Sequence, residues 1–209
     1  FITADTAETS KSYNDATVFS FFGVYEIENY GKKTGEFGLH WIDCMEIRVE
    51  PKDLKDEFIS FWMGCTRHKV APQIAAIEKK STGVTLISVL QELRGIHIRD
   101  IERNKSSGSK TQRFLEIQPY IASKRISFTN GAKHAQICIN HMTKITANDS
   151  HRFDDIADTL ADGVRLALMD KQFDSNRREQ DKVAATILQK QKVMLRTRNV
   201  LYGNQAGGS

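Results

Sequence analysis

The acids of this chain stand where a metal-dependent reaction would need them. Asp5 closes the β-favouring opening "FITAD", and Glu78 closes a second apolar run, "PQIAAIE". A third group lies in "HRFDDIADTLADGV": Asp154, Asp155, Asp158 and Asp162. On a helix, a spacing of three puts Asp155 and Asp158 on one face and Asp162 continues it, while the apolar stripe of Ile156, Leu160, Val164 and Leu168 takes another. Like charges at that spacing repel, and the nearby cations in sequence are few, Arg152 and Arg165 being the candidates. A bound divalent ion would resolve the repulsion. Carboxylate oxygens suit Mg²⁺ or Mn²⁺, not zinc. Two such ions about 4 Å apart activate a water and stabilise the leaving oxygen at a phosphodiester. Taken singly, each acid has a plainer reading. Asp5 is then a turn residue or cap, Glu78 a solvated strand end, and Asp154 and Asp155 are first-turn acids favoured by the helix dipole. Asp158 and Asp162 are then an ordinary exposed face.

The elements that would carry these acids follow from pattern. "FITAD", "ATVFSFFGVYEI" and "FGLHWIDCMEIRV" are rich in β-branched and aromatic residues and predict three strands, the last two joined by "YGKKTGE". Leu54, Phe58, Phe61, Trp62 and Cys65 recur at helical spacing after Pro51. Then come a buried strand ending in Glu78, a helix in "GVTLISVLQELRG" stopped by Gly95, and a weaker strand in "HIRDIE". "NKSSGSK" is a polar loop, "TQRFLEIQPYIAS" a helix bent or broken near Pro119, "RISF" a short strand and "AQICINHMTKI" a further helix. A meander followed by strand–helix–strand units predicts a mixed sheet with helices on both faces. If the Asp5 and Glu78 strands are neighbours, their carboxyl ends meet at the edge where open α/β sheets bind ligands.

Composition narrows the class. With 209 residues, 40% hydrophobic and 27% charged, the chain fits one globular domain, here residues 1–172, with a basic helical tail over 173–209. A net charge of +4 is compatible with nucleic acid without demanding it. Cys44, Cys65 and Cys138 are odd in number and far apart, which points to reduced thiols; they and the six histidines show no zinc spacing. Trp41 and Trp62 sit on core-patterned elements and read as packing. No apolar run is long enough to span a membrane. The chain opens on Phe inside a strand-like run and reads as a piece of something longer.

Four stretches, in order, carry a resemblance. "FITADTAET" followed by "NDATVFSFFGVY", then "IAAIEKKSTGVTLISVLQEL", then "KTQRFLEIQPYIASKRISF", and finally "HRFDDIADTLADGVRLAL" are similar to the C-terminal nuclease domain of the large terminase subunit of tailed bacteriophages. The resemblance covers most of residues 1 to about 170. It implies an RNase H-like fold related to Holliday-junction resolvases and retroviral integrases, and an endonuclease using two divalent ions, Mg²⁺ or Mn²⁺. Carried over by position, Asp5 and Glu78 match the first two metal ligands. Asp155 and Asp158 rank first for the remainder, with Asp154 behind them. Thr159 stands where many relatives carry Ala. The resemblance further implies double-stranded DNA as substrate, an N-terminal ATPase motor in the full-length chain, a portal protein and a small terminase subunit as partners, and host cytoplasm, transiently the procapsid portal vertex, as location. No phosphate-binding Walker loop occurs here, so no ATPase activity is expected of residues 1–209.

Lys105 and Lys110 lie in the "NKSSGSK" loop and Arg113 follows it, beside the presumed acidic edge. They either grip the DNA backbone, in a salt-dependent and sequence-independent way, or are simply solvated. The tail, with Arg177, Arg178, Lys182, Lys190, Lys192, Arg196 and Arg198, either contacts DNA or a portal ring or is a solvated charged helix. Two further functional readings stay open: a non-catalytic module that docks on a portal or DNA, and a junction-resolving nuclease of the same fold.

Overall fold

Alternation of side chains along the strands sets the architecture of this protein. The computed structural model describes residues 1–7, 16–80, 82–93, 95–103, 108–143 and 155–173. Among these, six strands form one sheet: β1 (Ile2–Asp5), β2 (Thr17–Asn29), β3 (Lys32–Ile47), β4 (Ile74–Glu78), β5 (His97–Ile101) and β6 (Ile126–Phe128). Their order is β5-β4-β1-β2-β3-β6. Only β2 runs against its neighbours; β1 with β4, β4 with β5 and β3 with β6 are parallel. Helices α1 (Leu54–Cys65), α2 (Thr82–Gln91), α3 (Lys110–Ala122), α4 (Lys133–Met142) and α5 (Asp155–Val164) follow, the last running into a π-helical turn, Arg165–Met169. This is the expected mixed α/β sheet, a meander followed by crossover units, and it is consistent with an RNase H-like fold.

Period two divides the sheet into two faces. Ile2 and Ala4 of β1, Phe19 and Phe21 of β2, and Ala75 and Ile77 of β4 pack with Leu54, Phe58, Phe61 and Trp62 of α1 and with Leu86, Ile87 and Leu90 of α2. Phe19 meets Phe58 edge-on with ring centres 5.2 Å apart, an arrangement worth about 0.5–1.5 kcal/mol beyond area burial. The residues between them, Thr3, Ser20 and Ala76, therefore face the other side. There α5 lies on β1 and β2, with α3 and α4 packed against it in turn. On that second side Trp41 is sandwiched between Phe22 and Phe128, at 5.2 and 5.3 Å.

Three local expectations are corrected. The β2–β3 connection is not the whole of "YGKKTGE" but a two-residue turn at Tyr30 and Gly31, both at positive φ. Such turns match strand twist, so pairing continues through Asn29↔Lys32 and the hairpin extends further from the core. Of the two expectations at Pro119, bent or broken, the break is ruled out: α3 passes through as one helix, Lys110–Ala122. α5 has no exposed acidic face: every residue from Ile156 to Val164 is buried, because the sheet covers one side and α3 and α4 another. Contacts divide the chain into Phe1–Asp170 and Lys171–Ser209. The basic tail residues Arg177 to Arg198 fall outside the described residues. No helix among the described residues is long and apolar enough to cross a membrane.

Candidate metal centre

The central strand pair delivers the first two acids. β1 and β4 lie side by side and parallel, with Ala4 opposite Ile77. Asp5 and Glu78 are the next residue on each strand, and parity turns both toward α5, away from the α1–α2 core. α5 is fixed over them by hydroxyls. Thr3 Oγ1 donates to the Thr159 carbonyl at 2.9 Å, and Ser20 Oγ and Thr159 Oγ1 share a hydrogen bond of 2.8 Å. Thr159 thus gives its hydroxyl a structural task on β2, and it places its neighbour Asp158 above the strand ends.

Four buried carboxylates lie close enough to act on one guanidinium, that of Arg103. Asp5 is 9% exposed, Glu78 7%, and Asp158 and Asp162 4% each. At that burial the solvated-strand-end and exposed-face readings do not hold for Glu78, Asp158 and Asp162. Asp155 opens α5, half-buried, one turn before Asp158. Asp154, Lys105 and the Lys110 side chain lie outside what is described.

Two arginines enter the cluster. Arg103, just past β5, places Nε 2.8 Å from Glu78 Oε1, and its Nη2 donates to Asp162 Oδ2 at 2.9 Å. Arg113, in the first turns of α3, donates through Nη2 to Asp158 Oδ1 at 2.7 Å and through Nη1 to the Gly108 carbonyl at 3.2 Å. The Arg113 guanidinium is therefore buried against an acid and not held out on a loop. Charge-assisted bonds of this length are the strong kind, and removing one partner of a buried pair typically costs about 3–5 kcal/mol. Among the described residues, Arg103 and Arg113 are cations that answer the repulsion on α5. Of the sequence-local candidates, Arg165 instead meets Glu116 at 4.0 Å, and Arg152 lies outside the described residues.

The electrostatics are those of a charged group held out of water. Burial opposes the charge on Arg103, but the carboxylates of Asp162, Asp158, Glu78 and Asp5 more than offset it and leave its pKa above the ordinary value. Burial pushes the Asp162 carboxyl up to about 7; Arg103 pulls it back, while Asp158 and Glu78 reinforce the rise. A raised carboxyl pKa stabilises the fold fully below the unfolded range near 4, and the contribution is lost as pH rises through the folded value. Asp162→Asn is therefore expected to gain stability relative to the parent protein as pH is raised from about 5 to about 8. Thermal melts of both proteins across that range, in chelator, measure the difference. A constant difference would show that Asp162 keeps an ordinary carboxyl.

The donor set suits a hard divalent ion in kind, being all carboxylate oxygen, and in place, at the carboxyl ends of two parallel strands. The guanidiniums are interleaved with it. Among the described residues no three acids, cysteines or histidines are drawn to a single point. Sequence reasoning left Asp162 out of the ligand set and missed Arg103. Asp162 was visible as the continuation of the acidic helix face. Arg103 left no local signal, since its acids are Glu78 and Asp162, far off along the chain. No protein-family model and no curated protein matches the chain.

Proposed function

We propose that this chain is a metal-dependent endonuclease that hydrolyses phosphodiesters of double-stranded DNA, the nuclease part of a large terminase subunit of tailed bacteriophages. The observation that carries the reading is that Asp5, Glu78, Asp158 and Asp162, all buried and drawn from two central strands and one helix, all act on the Arg103 guanidinium. Buried carboxylates in such number are costly unless cations accompany them, and their oxygens are what Mg²⁺ or Mn²⁺ prefers. Asp5, Glu78 and Asp158 are the leading ligands, with Asp162, Asp155 and Asp154 as further candidates. When bound, two such ions supply a water of lowered pKa and charge stabilisation at the leaving oxygen. The chain's own part is to hold the carboxylates on rigid strands and to shield them from bulk water. In the full-length protein, an ATPase motor would feed DNA to this edge, and a portal and small subunit would assemble with it at the procapsid in host cytoplasm.

Plasmid cleavage by the purified protein in Mn²⁺ tests the reading. Supercoiled DNA is expected to become linear and then a smear, with cutting lost in EDTA and with Mn²⁺ better than Mg²⁺. A preference for branched over linear duplex would shift the reading to a junction-resolving nuclease. The non-catalytic docking module has one observation in its favour, the neutralisation of the acids by Arg103 and Arg113. A folded protein that binds no Mn²⁺ at millimolar concentration would favour that second reading.

A further inference from the structure

Arg103 joins two acids that belong to different elements. Glu78 ends β4 and Asp162 lies on α5, and one guanidinium touches both, at 2.8 and 2.9 Å. Its side chain is 15% exposed, so the contact is not a surface ion pair that water screens away. The two arginines are not equivalent. Arg113 is also tied to the Gly108 carbonyl beside its own helix, whereas the two contacts described for the Arg103 guanidinium both go to acids of the cluster.

We propose that Arg103 is a built-in counter-cation for the metal-free protein: its guanidinium and a divalent ion compete for the Glu78 and Asp162 carboxylates, and ion binding requires Arg103 to withdraw. This rests on the metal-dependent reading above and adds a competitor to it. The physical ground is coordination. The Asp162 oxygen that accepts from Arg103 Nη2 at 2.9 Å does not offer the same lone pair to an ion that binds at about 2.0–2.6 Å, while Glu78 is held to Nε by charge at 2.8 Å, without hydrogen-bond geometry. Like charge adds to the exclusion, because a guanidinium retained in the cluster repels a dication. Arg103 therefore offsets part of the charge of the acid group without metal, at the expense of metal affinity.

Calorimetric titration with Mn²⁺ alone, without DNA, tests this on the parent protein and Arg103→Gln. The variant is expected to bind Mn²⁺ at least tenfold more tightly and to melt lower than the parent in EDTA. Equal affinities in the two proteins would overturn the competition and leave the metal reading standing. Absence of binding in both would overturn the metal reading, and the inference with it. Should Arg103→Gln fail to fold, the parent protein answers alone through the ¹⁵N resonance of the Arg103 Nε–H. Addition of Mg²⁺ is expected to shift that resonance and remove its protection from solvent exchange. A resonance unmoved at saturating Mg²⁺ would overturn the proposal.

Discussion

Asp5→Asn is expected to abolish Mn²⁺-dependent plasmid cleavage while the protein keeps its fold. The substitution preserves shape and removes one charge from a strand end whose backbone is paired to β2 through Asp5↔Val18. Loss of one ligand at a metal-assisted hydrolysis is expected to cost about a thousandfold in rate, or about 4 kcal/mol of barrier. The melting temperature in EDTA is expected to stay within a few degrees of the parent, because the sheet pairing and the Thr3–Thr159 hydrogen bond are untouched. Cleavage rates and thermal melts on the same preparations separate the two effects. Cutting at the parental rate by Asp5→Asn would remove Asp5 from the metal centre.

A marked loss of stability is expected from Gly83→Ala, in the first turn of α2. A Cβ there would sit 2.1 Å from the Glu78 carbonyl oxygen and 3.1 Å from Thr6 Oγ1. The first is a backbone atom at the last residue of β4, so no side-chain rotation relieves the collision. The turn is held closely from both sides: Gly83 N–H donates to the Lys80 carbonyl at 2.8 Å, and Thr82 Oγ1 to the Ala7 carbonyl at 2.7 Å. Overpacking of this kind costs about 3 kcal/mol, against about 1 kcal/mol gained from replacing glycine in a helix. The melting temperature is expected to fall by roughly 5 °C or more. Because the yielding atoms carry Glu78, cleavage is expected to fall about a hundredfold as well. A variant that melts and cuts as the parent does would show that α2 can withdraw from β4 without moving the acid.

What was legible in the residues was whatever period and local chemistry encode. Asp5 and Glu78 each end an apolar run, and a sheet that pairs those runs in parallel places both acids on one edge. Asp158 was legible through its helical spacing from Asp155. The arginines were not, because ion pairing in a folded chain obeys proximity in space. Searching near Asp158 along the sequence yields Arg152 and Arg165, whereas its partner, Arg113, lies 45 residues away. Arg113 borders a polar stretch and so reads as either a DNA-gripping or a solvated loop residue; α3 carries it inward instead. The full burial of α5 was hidden for a related reason. An apolar stripe with acids beside it predicts one buried face, and only the packing of α3 and α4 against that helix covers the other.

The hydrogen bond from Thr3 to Thr159 closes a loop of 156 residues, and this has a consequence for the order of assembly. The β2–β3 hairpin needs only near neighbours and can zip from its two-residue turn. The acid group needs both ends of the described chain: Asp5 and Glu78 are synthesised before α5, which docks on them last. Closing so long a loop is repaid only when helix and strands meet. A nascent or partly opened chain therefore carries its carboxylates apart, in ordinary solvated states. Under the proposed function, a chain able to cut DNA exists only once folding is complete, so premature scission during synthesis is prevented by topology alone.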